Sequence, residues 1–198
     1  YHALVAEAHA AGLVVIGDIK RADIGHTSRQ YAVAHLGKPG AGSIDNAAMP
    51  DAVTINPYFG SDGLVPFIDV ARSEGRGVFA LVQTSNESAS QIQNLVTSDG
   101  RTVAQHAAAL VQRLGGSPEC IGKKGYSLVG AVVSPRDLQS TEEIRALMPN
   151  CLFLVPGYGA QGMKGQDVAK CFRSDGSGAL ITASRSVMLG PTGSPQTS

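Results

Sequence analysis

The stretch VVIGDIKRADIGHT, residues 14–27, joins a short apolar run to a cluster of charged side chains. Val14–Ile16 is β-branched and lies between two glycines, which predicts a buried strand. Because side chains alternate between the two faces of a strand, Asp18 and Lys20 are expected to point the same way. Asp23 follows in the predicted turn before the next helix. We therefore expect two carboxylates to bracket one ammonium group at the carboxyl end of a strand.

Apolar runs and helical segments alternate on both sides of this stretch. Further strands are predicted at residues 51–56, 77–83, 128–133, 151–155 and 179–183. Helices are predicted at residues 1–11, 27–36, 64–73, 102–114 and 137–148. No sequence signal for a tight hairpin turn separates the strands, so the pattern indicates a parallel sheet with helices outside it.

The number of strands and the length of the chain point to one barrel-shaped domain. A (β/α)8 TIM barrel typically takes about 250 residues, whereas this sequence has 198 residues. We predict an α/β fold, a (β/α)8 TIM barrel in which strands 3 to 8 are present and the first two strands are missing from this chain. Residues 1–189 are expected to form the partial barrel domain and residues 190–198 a C-terminal tail. Residues 37–49 are predicted to form a long loop.

Composition excludes several classes of partner. Sixteen basic and sixteen acidic residues leave no net charge, and tryptophan is absent, so a nucleic-acid partner is not expected. No apolar run of about 18 residues is present, so no membrane partner is expected. The three cysteines are widely spaced and form no C-x-x-C pair. This spacing favours free thiols in the cytoplasm over disulfides or a zinc site.

Three other predicted strand ends carry polar groups. Thr84 and Ser85 follow one strand, and Arg185 lies at the carboxyl end of the last predicted strand. Residues 156–162, PGYGAQG, form a glycine-rich loop whose amides could wrap a phosphate. The carboxyl ends of parallel strands share one edge, where α/β folds place their active sites. An acid-base cluster and a phosphate site are therefore expected at the same edge of the sheet.

A lone Asp-x-Lys pattern fits a structural ion pair as well as an active site, but this motif is longer. Asp18, Lys20, Asp23, Ile24 and Thr27 fill the pattern D-x-K-x-x-D-I-x-x-T. The pattern resembles the signature of the orotidine 5'-phosphate decarboxylases, and the sequence is most similar to the longer bacterial branch of that family. Further segments resemble the strand ends of the family in the same order, at residues 51–58, 83–86, 129–133, 156–162 and 185–186.

The resemblance implies decarboxylation of orotidine 5'-monophosphate (OMP) to UMP, the last step of de novo pyrimidine nucleotide synthesis. Lys20 is then the expected general acid that protonates C6 after carbon dioxide leaves. Asp18 is expected beside the departing carboxylate. Asp23 and Thr27 are expected to reach the site of a neighbouring subunit, which implies a homodimer.

The resemblance also implies which side chains hold the nucleotide. Ile24 is expected to pack against the pyrimidine and Ser85 to hydrogen-bond its edge, although the adjacent Thr84 is equally capable. Gln161 and Arg185 are expected to hold the 5'-phosphate. No cofactor and no metal are expected, because an ammonium between two carboxylates competes with a divalent cation for them.

Departures from the family pattern leave alternatives open. The aspartate of strand one and the lysine of strand two are absent from this sequence, and Ser184 stands where the family usually has glycine. The enzymatic alternative is a sugar-phosphate decarboxylase or aldolase of the same superfamily, which shares the D-x-K-x-x-D core but uses magnesium. Ile24, Thr27 and the loop at 156–162 argue against it. The non-enzymatic alternative is a non-catalytic nucleotide-binding remnant.

Overall fold

A parallel six-stranded sheet flanked by helices forms the described part of the chain, residues 1–38, 48–159 and 162–189 of the computed structural model. The strands are β1 (Ile16–Arg21), β2 (Ala52–Ile55), β3 (Gly77–Gln83), β4 (Val129–Val133), β5 (Phe153–Val155) and β6 (Ala179–Ile181). The helices are α1 (His2–Ala10), α2 (Gly25–Leu36), α3 (Ser61–Glu74), α4 (Val103–Gly115), α5 (Leu138–Leu147), α6 (Gly165–Val168) and α7 (Ser184–Leu189). The predicted parallel α/β architecture is confirmed.

The strands follow one another across the sheet in chain order. Each pairs in parallel with the next, with Val53 opposite Val78 and Phe153 opposite Ala179 among the registered pairs. Within the described residues, β1 and β6 each have a strand on one side and form the two edges. The carboxyl ends of all six strands therefore lie along a single edge of the sheet, as the sequence predicted.

The two faces of the sheet have different packing. The outer face carries fully buried side chains such as Val53, Val78 and Phe153, which belong to the large core beneath the helices. The inner face carries a smaller cluster centred on Ala52, Phe79 and Val132. The alternation of these two sets along each strand follows from the two-residue period of β structure.

Close packing on the inner face requires glycine in β4. A β-carbon at Gly130 would lie 2.6 Å from the Phe79 ring and 2.6 Å from the main-chain oxygen of Leu152. No rotation of a flexible side chain relieves the contact with a backbone oxygen. The aromatic ring of Phe79 therefore fills the space that any larger residue at position 130 would need.

Three predicted strand boundaries were wrong by two residues, and one of them is the start of β5, which begins at Phe153 instead of Cys151. The strand at Val14–Ile16 begins instead at Ile16, where β1 first pairs with Ala52, and Val14 is 80% exposed because it precedes this pairing. The last strand ends at Ile181, and Arg185 lies in the first turn of α7 rather than at a strand end. Hydrogen bonding turns helical here, since the Val187 N–H donates to the Ala183 carbonyl at 3.1 Å.

Three sequence predictions fall wholly or partly on residues that lie outside the described ranges. They are residues 39–47 of the predicted loop, Gln161 of the predicted phosphate site and the predicted tail at 190–198. Within the described ranges, no helix is long and apolar enough to span a membrane.

Candidate active site

The strand β1 changes its path where the charged motif begins. Gly17 is registered with Val53 and Arg21 with Ile55, so four steps along β1 match only two along β2. Within this irregular segment, Lys20 has a φ of 47°, a conformation that residues with side chains rarely adopt. This irregularity lies at the carboxyl end of the strand, where the Asp18 and Lys20 side chains meet.

Asp18 and Lys20 form an ion pair at this end of the sheet. The Lys20 ammonium Nζ donates a hydrogen bond to Asp18 Oδ2. The pair is accessible to a ligand, since the Lys20 side chain is 51% exposed and that of Asp18 63% exposed. Both residues were predicted to face the same way, and they do.

Thr54 on the neighbouring strand β2 makes hydrogen bonds to both residues of this pair. Its side chain is fully buried, and its Oγ1 donates to Asp18 Oδ1 at 2.9 Å. The same oxygen accepts a hydrogen bond from the Lys20 backbone N–H at 2.9 Å. Sequence reasoning missed Thr54, although its inward position on the predicted strand at 51–56 was a signal that could have identified it.

The surroundings lower the pKa of the Asp18 carboxyl below its usual value. Partial burial alone would raise this pKa, but hydrogen bonds from Lys20 and Thr54 and the Lys20 charge outweigh it. Asp18 is therefore a carboxylate at neutral pH and accepts hydrogen bonds from both neighbours.

Asp23 does not complete the predicted bracket around Lys20. Its Oδ1 accepts a hydrogen bond from the Ile24 N–H at 2.8 Å, and no ion pair joins it to Lys20 in the described part of the chain. Asp23 lies, as predicted, in the turn between β1 and α2, but the predicted bracket was wrong because its carboxylate binds the backbone at the start of the helix instead of the ammonium group. Among the described residues, Asp18 is the one carboxylate that pairs with the Lys20 ammonium group.

Two further motif residues lie exposed at the beginning of α2. Ile24 is the N-cap residue of the helix and is 54% exposed, a high value for a large apolar side chain. Thr27 is exposed in the first turn. Both side chains are therefore accessible to another molecule near the Asp18–Lys20 pair, while their predicted contacts stay predictions.

The turn after β3 distinguishes the two candidate hydroxyl groups. Thr84 Oγ1 donates to Asn86 Oδ1 at 2.6 Å and accepts from Gln93 Nε2 at 2.8 Å, so its hydroxyl already has partners. Ser85 is half-buried and makes no side-chain hydrogen bond to the described residues. The geometry favours Ser85 as the hydroxyl available to a ligand.

The predicted phosphate site is partly within the described residues. Gly157, Gly159 and Gly162 have φ values of 104°, 71° and 86°, which glycine adopts without strain. Arg185 is exposed in the first turn of α7. The loop follows β5 and Arg185 follows β6, so both lie beyond the carboxyl ends of neighbouring strands.

The donor groups at this edge do not suggest a metal site. Among residues 1–38, 48–159 and 162–189, no group of three or more histidine, cysteine, aspartate or glutamate side chains is arranged to hold a metal ion. What the arrangement offers is one fixed ammonium group beside one carboxylate, with hydroxyl and backbone donors on the following loops.

The sequence matches the family model of the orotidine 5'-phosphate decarboxylase / HUMPS family over residues 2–191. It is 40% identical over 189 residues to an orotidine 5'-phosphate decarboxylase of Rhodopirellula baltica, covering 94% of this chain and 60% of that protein. It is 41% identical over 182 residues to an orotidine 5'-phosphate decarboxylase of Deinococcus radiodurans, covering 92% of this chain and 61% of that protein. The chain thus spans about 60% of the length of these curated relatives.

Solved structures agree with the sequence comparison. A crystal structure described as a putative orotidine 5'-phosphate decarboxylase from Streptomyces avermitilis superposes with a TM-score of 0.74 at 34% identity, covering 96% of this chain and 62% of that one. A Plasmodium yoelii structure described as a putative orotidine-monophosphate-decarboxylase gives a TM-score of 0.76 at 20% identity, covering 92% of this chain and 54% of that one. The second likeness concerns the fold alone.

Proposed function

The chain belongs to the orotidine 5'-phosphate decarboxylase / HUMPS family, and on this premise we propose that its full-length protein converts OMP to UMP and carbon dioxide. The family identified from the D-x-K-x-x-D-I-x-x-T motif is thereby confirmed. The observation that carries the proposed activity is the exposed Asp18–Lys20 ion pair at the carboxyl end of β1.

The chemistry of the reaction suits a fixed ammonium group. Loss of the carboxylate leaves a carbanion at C6 with no adjacent carbonyl to delocalise the charge. A preorganised cation stabilises such a charge more than water does, because it needs no reorganisation when the bond breaks. Lys20 supplies this charge and then donates the proton to C6. Asp18 holds the ammonium group in place through its Oδ2.

The remaining motif residues bind the nucleotide in this proposal. Ile24 packs against the pyrimidine and Ser85 hydrogen-bonds its edge, which agrees with the exposed side chain of the first and the available hydroxyl of the second. Gln161 and Arg185 hold the 5'-phosphate. The predicted wrapping by loop amides does not extend to Gly159 and Gly162, whose N–H groups donate within the loop to the Met163 and Gly159 carbonyls at 3.0 and 2.9 Å.

A homodimer is part of the proposal. Asp23 and Thr27 serve the site of the neighbouring subunit, which agrees with the separation of Asp23 from Lys20 within one chain. Exposed apolar side chains on the loops after β1 and β2 offer surface for this contact, namely Ile24 at 54%, Tyr58 at 79% and Phe59 at 47% exposure. We place the enzyme in the cytoplasm, where Cys120, Cys151 and Cys171, all buried and free, would stay reduced.

The proposal for the fold is a TIM barrel whose first two strands lie outside this chain. The edge strands β1 and β6 would flank those two strands and close the barrel with them. The missing strands would also supply the acidic and basic side chains that the family places there. Reading the coding sequence upstream of Tyr1 tests this directly: two further strand patterns are expected, and their absence would contradict the closed barrel.

The decisive experiment measures OMP turnover by the full-length protein with and without EDTA. We expect UMP and carbon dioxide in equal amounts at a rate that EDTA leaves unchanged, because the cation at the site is Lys20. Activity lost with EDTA and restored by magnesium would favour the sugar-phosphate enzymes. A folded protein that binds UMP but never turns over OMP would support the non-catalytic alternative.

A further inference from the structure

The irregular segment at the carboxyl end of β1 contacts a buried hydroxyl group of β2, that of Thr54. We propose that Thr54 is a positioning residue for decarboxylation, which fixes both the Lys20 backbone and the Asp18 carboxylate so that the Lys20 ammonium faces the reacting carbon. This inference rests on the proposed function. Thr54 itself is fully buried and acts through Asp18 and Lys20.

The direction of each hydrogen bond at Thr54 is fixed by its partners. The Lys20 N–H can only donate, so Oγ1 accepts at this contact, 2.9 Å long. The hydroxyl hydrogen is then free to point at Asp18 Oδ1, 2.9 Å away, and the carboxylate can only accept. One hydroxyl therefore satisfies a backbone donor and orients a carboxylate together.

The backbone of Lys20 explains why the hydroxyl is needed here. A φ of 47° is uncommon for a residue with a side chain, and such conformations persist where the surroundings hold them. Here β1 and β2 are out of regular register between Gly17 and Arg21. The Thr54 hydroxyl accepts the hydrogen bond from the Lys20 N–H within this irregular segment.

These hydrogen bonds form a closed ring that includes the Lys20 ammonium group. Lys20 N–H bonds to Thr54, Thr54 to Asp18 Oδ1, and Asp18 Oδ2 to Lys20 Nζ. The backbone and the side chain of one lysine are thus held by the same two neighbours. Because the Lys20 and Asp18 side chains are otherwise largely exposed, this ring limits how far the ammonium group can move.

The test compares four variants of the full-length protein. Thr54→Val removes the hydroxyl at nearly constant shape, Thr54→Ser keeps it, and Thr54→Cys replaces it with a weaker donor and acceptor. Thr141→Val is the matched control. Thr141 is also fully buried, but its Oγ1 donates to the carbonyl of Asp137, the N-cap residue of α5, at 2.7 Å rather than to Asp18 or Lys20.

We expect Thr54→Val to lower kcat for OMP about 10- to 100-fold, since small misplacements of reacting groups have effects of this size. KM and the Kd of UMP should change much less, because Thr54 does not touch the nucleotide. Thr54→Ser should stay near wild type and Thr141→Val should keep wild-type kcat. If Thr54→Val does not fold, Thr54→Cys replaces it, with a smaller loss of kcat expected. Equal losses in Thr54→Ser and Thr54→Val, or no loss in Thr54→Val, would overturn the proposal.

A second measurement does not depend on turnover. Carbon-13 NMR titration of the Asp18 carboxyl should show a higher pKa in Thr54→Val than in the wild type, and no change in Thr141→Val. If the wild type fails to decarboxylate OMP, the proposed function is wrong, while the titration still decides whether Thr54 orients Asp18. An unmoved Asp18 pKa in Thr54→Val would show that it does not.

Discussion

A cationic side chain lies at the carboxyl ends of the strands and another near their amino ends, and the surroundings of the two cations differ. Lys20 at the carboxyl end of β1 is half exposed and pairs with the Asp18 carboxylate. Arg145 at the end of α5 is half-buried, with its guanidinium 3.7 Å from the centre of the Phe153 ring. It donates to main-chain carbonyls of Met148, Cys151 (2.9 Å), Gly178 (3.4 Å) and Cys171 (3.5 Å).

The positions of these carbonyls show what Arg145 does. Cys151 precedes β5 and Gly178 precedes β6, so Arg145 ties the amino ends of two neighbouring strands to the end of α5. Burial lowers the pKa of Arg145, but its usual pKa is so high that it remains charged at neutral pH. Its charge is taken up by backbone groups, whereas the Lys20 ammonium remains accessible to a substrate. Arg145 is therefore a cation that stabilises the fold, and Lys20 is a cation that is available for chemistry.

The largest expected effect comes from removing the accessible cation. Lys20→Ala should lower kcat for OMP by about 100- to 1,000-fold or more, because it removes both the charge facing the carbanion and the proton donor. UMP should still bind measurably, and stability should change little because the ion pair is exposed. Steady-state kinetics, UMP titration and urea unfolding measure the three quantities.

Lys170→Ala is the matched control for this prediction. Lys170 also forms an exposed ion pair, with Glu142, and its side chain is 45% exposed. The control should keep wild-type kcat. If the kcat of Lys20→Ala stays within about tenfold of wild type, a difference of roughly 1.4 kcal/mol in activation free energy, Lys20 is not the general acid. The motif is then a structural ion pair.

For Arg145 we expect the opposite pattern, a loss of stability with little change in kcat. Arg145→Met keeps much of the side-chain length but leaves several main-chain carbonyls without their donor, so the free energy of unfolding should fall by about 2–4 kcal/mol. The kcat of the folded fraction should stay near wild type. Urea unfolding and kinetics at a temperature where the variant is folded measure both.

Arg72→Met provides the comparison for Arg145. Arg72 pairs with Asp69 at 2.9 Å, and its side chain is 42% exposed. Its replacement should change the free energy of unfolding by less than about 0.5 kcal/mol. If both variants were equally stable, Arg145 would not be the structural tie that its contacts suggest.

How far the sequence predicts this contrast depends on the range of the interactions. The alternation of strands and helices and the common direction of the Asp18 and Lys20 side chains follow from local periodicity, and the structure confirms both. The Thr54 bridge was missed because it depends on the register of β1 against β2, which no local pattern encodes. Asp23 lies in the turn where it was predicted, but its partner was not predicted, since the direction of a side chain in a turn does not follow the alternation of a strand.

The smallest expected effect concerns Asp51, just before β2. Burial tends to raise the pKa of Asp51, but hydrogen bonds from the Val15 N–H (2.7 Å) and His9 (2.9 Å), with the nearby charges, lower it below its usual value. A lowered folded-state pKa gives stability that is present above about pH 4, the unfolded value, and is lost as pH falls through the folded-state pKa.

Asp51→Asn should therefore lower the free energy of unfolding at pH 7 by about 1 kcal/mol or less, because the Asp51 side chain is 45% exposed. The difference between variant and wild type should shrink as the pH is lowered below 4. Urea unfolding at pH 7 and pH 3 measures it. A difference that grows on acidification would reverse the assigned sign of the Asp51 contribution.

The central claim is that the carboxyl end of β1 carries out decarboxylation with protonation at C6, and the isotopic content of the product tests it most directly. The Lys20 ammonium exchanges its protons with solvent, so the full-length protein incubated with OMP in D2O should release carbon dioxide and UMP in equal amounts, with one deuterium at C6. Mass spectrometry and proton NMR of the UMP measure this. A folded protein that leaves OMP unchanged, or that yields UMP with protium at C6, would contradict the account.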